Sequence, residues 1–234
     1  MQTFSELLLA ARRKERPPVL IASLPSNDPA LVQAALDGGA DVIKVHIHLQ
    51  HRASQTVIGS LAEERPALEE ILRLCAGRPT GIVPGADARL DPGEVSGLVE
   101  LGFSFFSMYL QHAPAGMLPP SSQVERMLAL SHSDPLEIAG SLDDLDMQVC
   151  EMSIMAPESY GQPLTYADLA AYAAIRRRTR RPLVAPSQHA IPAGALPELA
   201  AIGIEGVMLG TIVCGTTPQG WYDAFHRFRV TAIS

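Results

Sequence analysis

Short apolar runs alternate with helical stretches along most of this chain, and that alternation restricts it to a parallel sheet flanked by helices. The spacing predicts strands near residues 18 to 23, 41 to 48, 80 to 84, 103 to 109, 136 to 140, 148 to 154, 182 to 186 and 206 to 209. Helix start and stop signals stand between them. Asp28-Pro29 opens a helix that Gly38-Gly39 closes, Asp91-Pro92 opens one that ends at Gly102, and Pro192 begins one that stops at Gly203. Eight strands in 234 residues point to an α/β fold of the (β/α)8 TIM-barrel kind, with residues 1-234 forming one domain. One unit is irregular. About a turn's worth of residues, Ser141 to Asp146, separates the fifth strand from the sixth, where a parallel crossover needs roughly a dozen. The fifth βα unit is therefore expected to be truncated, unless its strand lies elsewhere. A doubly wound open sheet is the competing architecture, but no GxGxxG follows the first strand to support it.

Composition removes several kinds of partner. A formal charge of −7 argues against a general nucleic-acid surface, and 5% aromatic residues leave no stacking platform for bases. Cys75, Cys150 and Cys214 are odd in number, far apart and without a CxxC, which fits neither a disulfide framework nor a zinc knuckle. A reducing cytoplasm is the simplest location. The early apolar run Leu7 to Ala11 is too short for a membrane segment, and the basic cluster Arg12, Arg13 and Lys14 follows it, as suits the C-terminal end of an extra amphipathic helix. No membrane partner is expected, and association into a homo-oligomer is left open.

The most chemically loaded stretch is Asp41-Val-Ile-Lys-Val-His-Ile-His48. Alternation along a strand sends Ile43, Val45 and Ile47 to one face and Val42, Lys44, His46 and His48 to the other. In a strand buried on both faces an ordinary core would be apolar on both. Strand six repeats the pattern, with Glu151 and Ser153 on one parity and Cys150, Met152 and Ile154 on the other. In a barrel the C-terminal strand ends and the loops after them carry function, so Lys44, His46 and Glu151 are the candidate catalytic set. A Lys and a Glu facing one mouth form a natural acid/base pair; the competing reading is a buried structural ion pair. His46 titrates nearest neutral pH and would shuttle the proton. Burial could also make Lys44 a Schiff-base nucleophile, and the residues do not separate this from an electrostatic role. His112 and His189, after the fourth and seventh strands, could reach the mouth, whereas His132 and His226 belong on the exterior. No cofactor is expected; a divalent ion shared by His46 and His48 with Glu151 or His189 is the alternative.

The C-terminal quarter adds a resemblance. Pro182-Leu-Val-Ala-Pro, the helix opened by Pro192, and Gly203-Ile-Glu-Gly-Val-Met-Leu-Gly-Thr-Ile-Val resemble the last two βα units of ribulose-phosphate-binding barrels. That resemblance implies a phosphate held by backbone N–H groups at Gly210 and Thr211. At strand seven the usual glycine pair falls on Ser187 and Gln188, which would have to contribute side-chain donors instead. Gly38-Gly-Ala-Asp-Val-Ile with Gly206-Val-Met-Leu-Gly-Thr is similar to N-acylmannosamine-6-phosphate epimerases and related lyases and isomerases, which pair a Lys with a carboxylate beside a carbonyl. Val83-Pro-Gly, Ser107-Met-Tyr-Leu with Gln123-Val-Glu, and Glu151-Met-Ser with Tyr160-Gly161 resemble prenylglyceryl phosphate synthases, whose strand-six Glu and Tyr hold glycerol phosphate. Their strand-one acids are missing from Val19-Leu-Ile-Ala-Ser-Leu-Pro. Together these resemblances imply an isomerase, epimerase or lyase acting on a small sugar or polyol phosphate, with His48, Ser153, Tyr160 and His189 binding substrate. A prenylglyceryl phosphate synthase-like transferase and a non-catalytic phosphate-ligand sensor are the alternatives.

Overall fold

The computed structural model describes residues 2–50, 56–85 and 90–233. Its central sheet is a closed barrel of eight parallel strands: β1 (Val19–Ser23), β2 (Val42–His46), β5 (Thr80–Val83), β6 (Phe105–Tyr109), β7 (Glu125–Ser131), β8 (Val149–Ser153), β9 (Leu183–Pro186) and β10 (Gly206–Leu209). The strands follow one another around the barrel in chain order, and β10 pairs with β1 to close it. A small antiparallel hairpin, β3 (Leu49–Gln50) with β4 (Val57–Ile58), is inserted after β2.

Helices α1 (Phe4–Arg12), α2 (Pro29–Gly38), α3 (Leu61–Leu74), α4 (Pro92–Leu101), α5 (Tyr166–Arg176), α6 (Leu196–Ala201), α7 (Thr211–Cys214) and α8 (Pro218–Ile233) complete the chain. Local chemistry sets their ends. Asp28 and Asp91 cap α2 and α4 through their carboxylates, each followed by a proline in the first turn, and Gly39 and Gly102 terminate them in the left-handed conformation. Ser60 and Thr165 open α3 and α5 with reciprocal capping boxes. Among the described residues no helix is long and apolar enough to cross a membrane.

The fifth strand differs from the expectation. Residues 136 to 140 belong to a 3-10 segment, Leu136–Asp144, and the barrel strand is Glu125–Ser131. The displaced strand and the truncated unit both hold: the link from β7 to β8 carries this 3-10 segment, and the link from β6 to β7 carries the 3-10 turn Leu110–His112, with no α-helix in either. The seventh crossover is likewise divided, into a 3-10 turn at Ala193–Ala195 and the short α6.

Two apolar layers hold the barrel. Outward residues such as Ile43, Val45, Leu128, Cys150 and Met152 pack under the helices. Inward residues Val19, Ile21, Val42, Phe105, Met127, Val149 and Val184 fill the N-terminal half of the interior with Phe4, Leu7 and Leu8 of α1. That helix is a plug. Phe4 is fully buried and its ring lies 4.3 Å from that of Phe105. Gly81 makes room for this stack, because a Cβ there would run into the Phe105 ring. With the lower interior filled by hydrocarbon, the upper interior is free to be polar.

Candidate functional site

The inward parity continues upward from the apolar layer. Above Val42 come Lys44 and His46, above Phe105 comes Ser107, and above Val149 come Glu151 and Ser153. These residues floor a cleft of about 400 Å³ at the C-terminal mouth, ringed by residues from the loops after β2, β6, β8, β9 and β10. At its centre Lys44 Nζ donates to Glu151 Oε2 at 3.1 Å, and both side chains are 7% exposed. Ser107 sits between them, its hydroxyl 3.5 Å from Lys44 Nζ and donating to the same carboxylate oxygen at 3.3 Å. Ser153 donates to the other oxygen, Oε1, at 2.6 Å. Glu151 thus meets hydrogen-bond donors on both of its oxygens. Lys44 has three donors in all, so one N–H remains for a ligand in the cleft.

His46 is buried at the cleft wall, with its backbone fixed by Asn27. The Asn27 amide donates to His46 O at 2.8 Å and accepts from His46 N–H at 3.3 Å, and it also donates to Glu64 Oε2 at 2.8 Å. A second rim is formed by β9, β10 and α7. Here Gly210 N–H donates to Ser187 Oγ at 2.9 Å, so that hydroxyl keeps its own proton to offer. Thr211 Oγ1 is buried without a hydrogen-bond partner. The first N–H groups of α7 face the same region and lack partners within the helix.

Of the candidate residues, Lys44, His46, Glu151, Ser153, Tyr160, Ser187, Gln188, Gly210 and Thr211 all line this cleft. Two do not. The expectation that His48 continues the inward face is corrected: β2 ends at His46, and His48 adopts φ 50° as the chain turns into the hairpin. Its Nε2 lies 2.6 Å from Glu94 Oε2 on α4, with the side chain 44% exposed. His189 is also directed elsewhere, against Asp168 and Ser159 at 2.9 and 2.8 Å. Burial alone would raise the Asp168 carboxyl, but hydrogen bonds from His189 and from Thr165 outweigh it and hold the carboxyl below its ordinary value. The ligand set imagined for a divalent ion is therefore not assembled, and no cluster of three His, Cys, Asp or Glu suited to a metal occurs among the described residues.

Gln188 lines the cleft, and one of its two amide N–H groups and its carbonyl oxygen are tied to the neighbouring loop. Its Nε2 donates to Tyr160 OH at 2.6 Å and its Oε1 accepts from Met155 N–H at 3.1 Å. Ser107 and Asn27 escaped the sequence reading. Ser107 shares the inward parity of its strand with Phe105, a signal that was available; Asn27 lies in a loop and has no such periodicity. None of the three buried cysteines lines the cleft. Cys150, on the outward parity of β8, is pushed up to about 12 by burial and by the neighbouring Glu151, and Cys214 is pushed up to about 12 chiefly by burial.

Neither a protein-family model nor a curated protein sequence matches this chain. Solved structures do. Tryptophan synthase from Mycobacterium tuberculosis superposes with a TM-score of 0.70 at 12% identity, covering 99% of this chain and 99% of that one. A mutant tryptophan synthase alpha-subunit from Pyrococcus furiosus gives 0.70 at 13% identity over 92% and 99% of the two chains. Thiamine phosphate pyrophosphorylase from Pyrococcus furiosus gives 0.63 at 13% identity over 92% and 95%. At such identities the shared property is the barrel fold, and chemistry has to be argued from the cleft.

Proposed function

We propose that the protein is an enzyme that moves a proton on a carbon beside the carbonyl of a small phosphorylated metabolite, a sugar phosphate in its carbonyl form, as an isomerase, epimerase or lyase. The observation that carries this reading is the Lys44–Glu151 pair, 3.1 Å apart on the floor of an open cleft. A pair sealed inside a core has only a structural use; this one has a cavity above it. The remaining N–H of Lys44 would polarise the substrate carbonyl. Glu151 would take the proton from the adjacent carbon while the C–H electron pair moves toward the carbonyl carbon and the oxygen becomes an enolate held by Lys44. Return of the proton to the other face gives an epimer, return by way of the neighbouring oxygen and carbon an isomer, and loss of a leaving group a lyase product. His46, on the same wall, would carry protons between the oxygens.

The phosphate would sit across the cleft at the start of α7. Ser187 supplies an O–H, Thr211 a hydroxyl with no partner in the protein, and the first N–H groups of α7 further donors. One structural neighbour, thiamine phosphate pyrophosphorylase, carries a phosphate ester in its name. Placement of Tyr160 and Glu151 around one cleft also favours the glycerol phosphate site of the prenylglyceryl-type transferases as a second reading, although β1 carries no acid to hold a metal diphosphate. Thermal unfolding against a panel of sugar and polyol phosphates tests both. A ligand at about a hundred times its Kd adds about 2.7 kcal/mol of stability. Hits that carry a carbonyl should then exchange a carbon-bound proton with deuterated solvent, and loss of that exchange in Glu151→Gln would follow; a polyol phosphate that binds without exchange favours the second reading. If no phosphate ester stabilises the protein, the proposed function fails.

A further inference from the structure

The loop after β8 carries Tyr160 to the cleft, and residues 188 to 190 run beside it as a splint. Gly161 N–H donates to Gln188 O at 2.9 Å, Ala190 N–H to Gln162 O at 2.8 Å, and Leu164 N–H to Ala190 O at 3.4 Å. His189 lies in the middle of this splint, its side chain 10% exposed. One ring nitrogen, Nδ1, meets Asp168 Oδ2 at 2.9 Å, and the other, Nε2, meets Ser159 Oγ at 2.8 Å. Asp168 is itself anchored, accepting from the Thr165 N–H at 2.8 Å and the Thr165 hydroxyl at 2.9 Å at the start of α5.

We propose that His189, held by Asp168, is a positioning residue that fixes Ser159 and thereby sets the Tyr160 hydroxyl in the cleft. Ser159 ends the 3-10 turn Pro157–Ser159, and a single such turn has little stability of its own. The Ser159 hydroxyl donates to Ala156 O at 2.7 Å, which closes the turn. With that hydroxyl proton committed, Nε2–H of His189 is the donor to Ser159, while Nδ1 lies against the Asp168 carboxylate. Tyr160 follows directly, and its oxygen accepts from Gln188, so its own proton is left to point at a ligand. Adjacent residues of the splint thus hold both ends of one small lever: Gln188 grips the ring hydroxyl and His189 grips the backbone turn.

A Ser, His and Asp in line resemble a nucleophile relay, but the surroundings argue for holding over attack. The Ser159 hydroxyl is spent on Ala156 O. The N–H groups of Tyr160, Gly161 and Gln162 are given to Pro157 O, Gln188 O and Ser159 O, so none of the three is left to stabilise an oxyanion.

The test uses the full-length protein labelled with 3-fluorotyrosine. Its five tyrosines give separate fluorine resonances, and Tyr160→Phe identifies the one that matters. His189→Ala should shift and broaden the Tyr160 signal while those of Tyr109 and Tyr222 stay in place. His189→Gln, whose amide N–H can still reach Ser159, should return the signal toward its native position. Should His189→Ala fail to fold, Asp168→Asn, which retains an oxygen for Thr165, makes the same comparison with a smaller displacement. A Tyr160 signal at its native position in the folded variant overturns the proposal; so does equal movement of Tyr222, and so does covalent labelling of Ser159 by a fluorophosphonate. The proposal rests on the proposed function only for its ligand. Glycerol 1-phosphate should bind His189→Ala about tenfold more weakly than the native protein, the equivalent of one hydrogen bond. Absence of binding to the native protein would count against the glycerol phosphate reading alone and leave the fluorine comparison standing.

Discussion

Replacing Lys44 with Met is the perturbation that most directly separates a working pair from a structural one. At 3.1 Å and an effective dielectric constant near 20, the attraction between Lys44 and Glu151 is about 5 kcal/mol. Most of it is offset by the desolvation of both ions. Removing one partner of a fully sealed pair typically costs roughly 3 to 5 kcal/mol, because the other charge is stranded. Glu151 would not be fully stranded: Ser107 and Ser153 still donate to it, and the cleft admits water. The expected loss is therefore about 2 to 3 kcal/mol, or roughly 5 to 10 °C in Tm for a chain of this size. Urea unfolding followed through Trp221 measures it. A stability loss alone does not decide between the two roles, since direct contact makes both readings lose stability. The double variant Lys44→Met/Glu151→Gln decides, because Gln keeps partners for both hydroxyls and removes the stranded charge. It should recover more than half of the loss while turnover stays absent. If single and double variants are equally unstable, the stranded-charge argument is wrong; if turnover survives either, the catalytic assignment is wrong.

Three further outcomes follow from the same geometry. Thr211→Val, which removes a buried hydroxyl without a partner, should stabilise the ligand-free protein by about 1 kcal/mol and weaken the binding of inorganic phosphate; a loss of stability with unchanged binding would refute the placement of the anion. Phe4→Ala should cost about 3 to 5 kcal/mol in chemical denaturation, since its ring closes the barrel floor against Phe105, and a cost under about 1 kcal/mol would show that α1 is not a plug. The Asp168 carboxyl lies below its ordinary value in the folded state, so its contribution to stability is complete above the unfolded value of about 3.9 and disappears as pH falls through the lower folded value. Between pH 5 and pH 2 Asp168→Asn should therefore lose stability less steeply than the native protein, as acid titration by circular dichroism would record.

Side-chain alternation is a property of the strand itself, and this is why Lys44, His46, Glu151 and Ser153 could be placed from the residues alone. The inference stops where the strand stops. His48 obeys the same period on paper, yet at φ 50° the chain has already turned, and its imidazole finds Glu94 instead of the cleft. His189 fails for the same reason, since its direction depends on how two loops meet. Strand β7 was hidden by composition. Met127-Leu-Ala-Leu130 is built of good helix formers without a β-branched residue, whereas Leu136-Glu-Ile imitates a strand's alternation. Burial on both faces of a parallel sheet overrides that propensity: Met127, Leu128, Ala129 and Leu130 are all buried, while Glu137 and Ile138 are not.

The division of the barrel interior explains how a cleft with buried charges can be tolerated at all. Three inward rows begin with hydrocarbon and turn polar toward the mouth, Val42 to Lys44, Phe105 to Ser107 and Val149 to Glu151. Stability is concentrated below, where α1 adds Phe4, Leu7 and Leu8 to the barrel's own side chains and Gly81 and Gly206 lack the Cβ that would collide with Phe105 and Leu8. A methyl at Gly81 would collide with the Phe105 ring and displace it, and Ser107 stands next above Phe105 on the same face of β6. Gly81→Ala should for that reason do more than destabilise. It should disturb the Lys44–Ser107–Glu151 arrangement from beneath, so that phosphate-ester binding falls together with stability although the altered residue touches no ligand. Ligand binding unchanged in a destabilised Gly81→Ala protein would mean that the two layers are independent, and that the polar floor is held by its own hydrogen bonds.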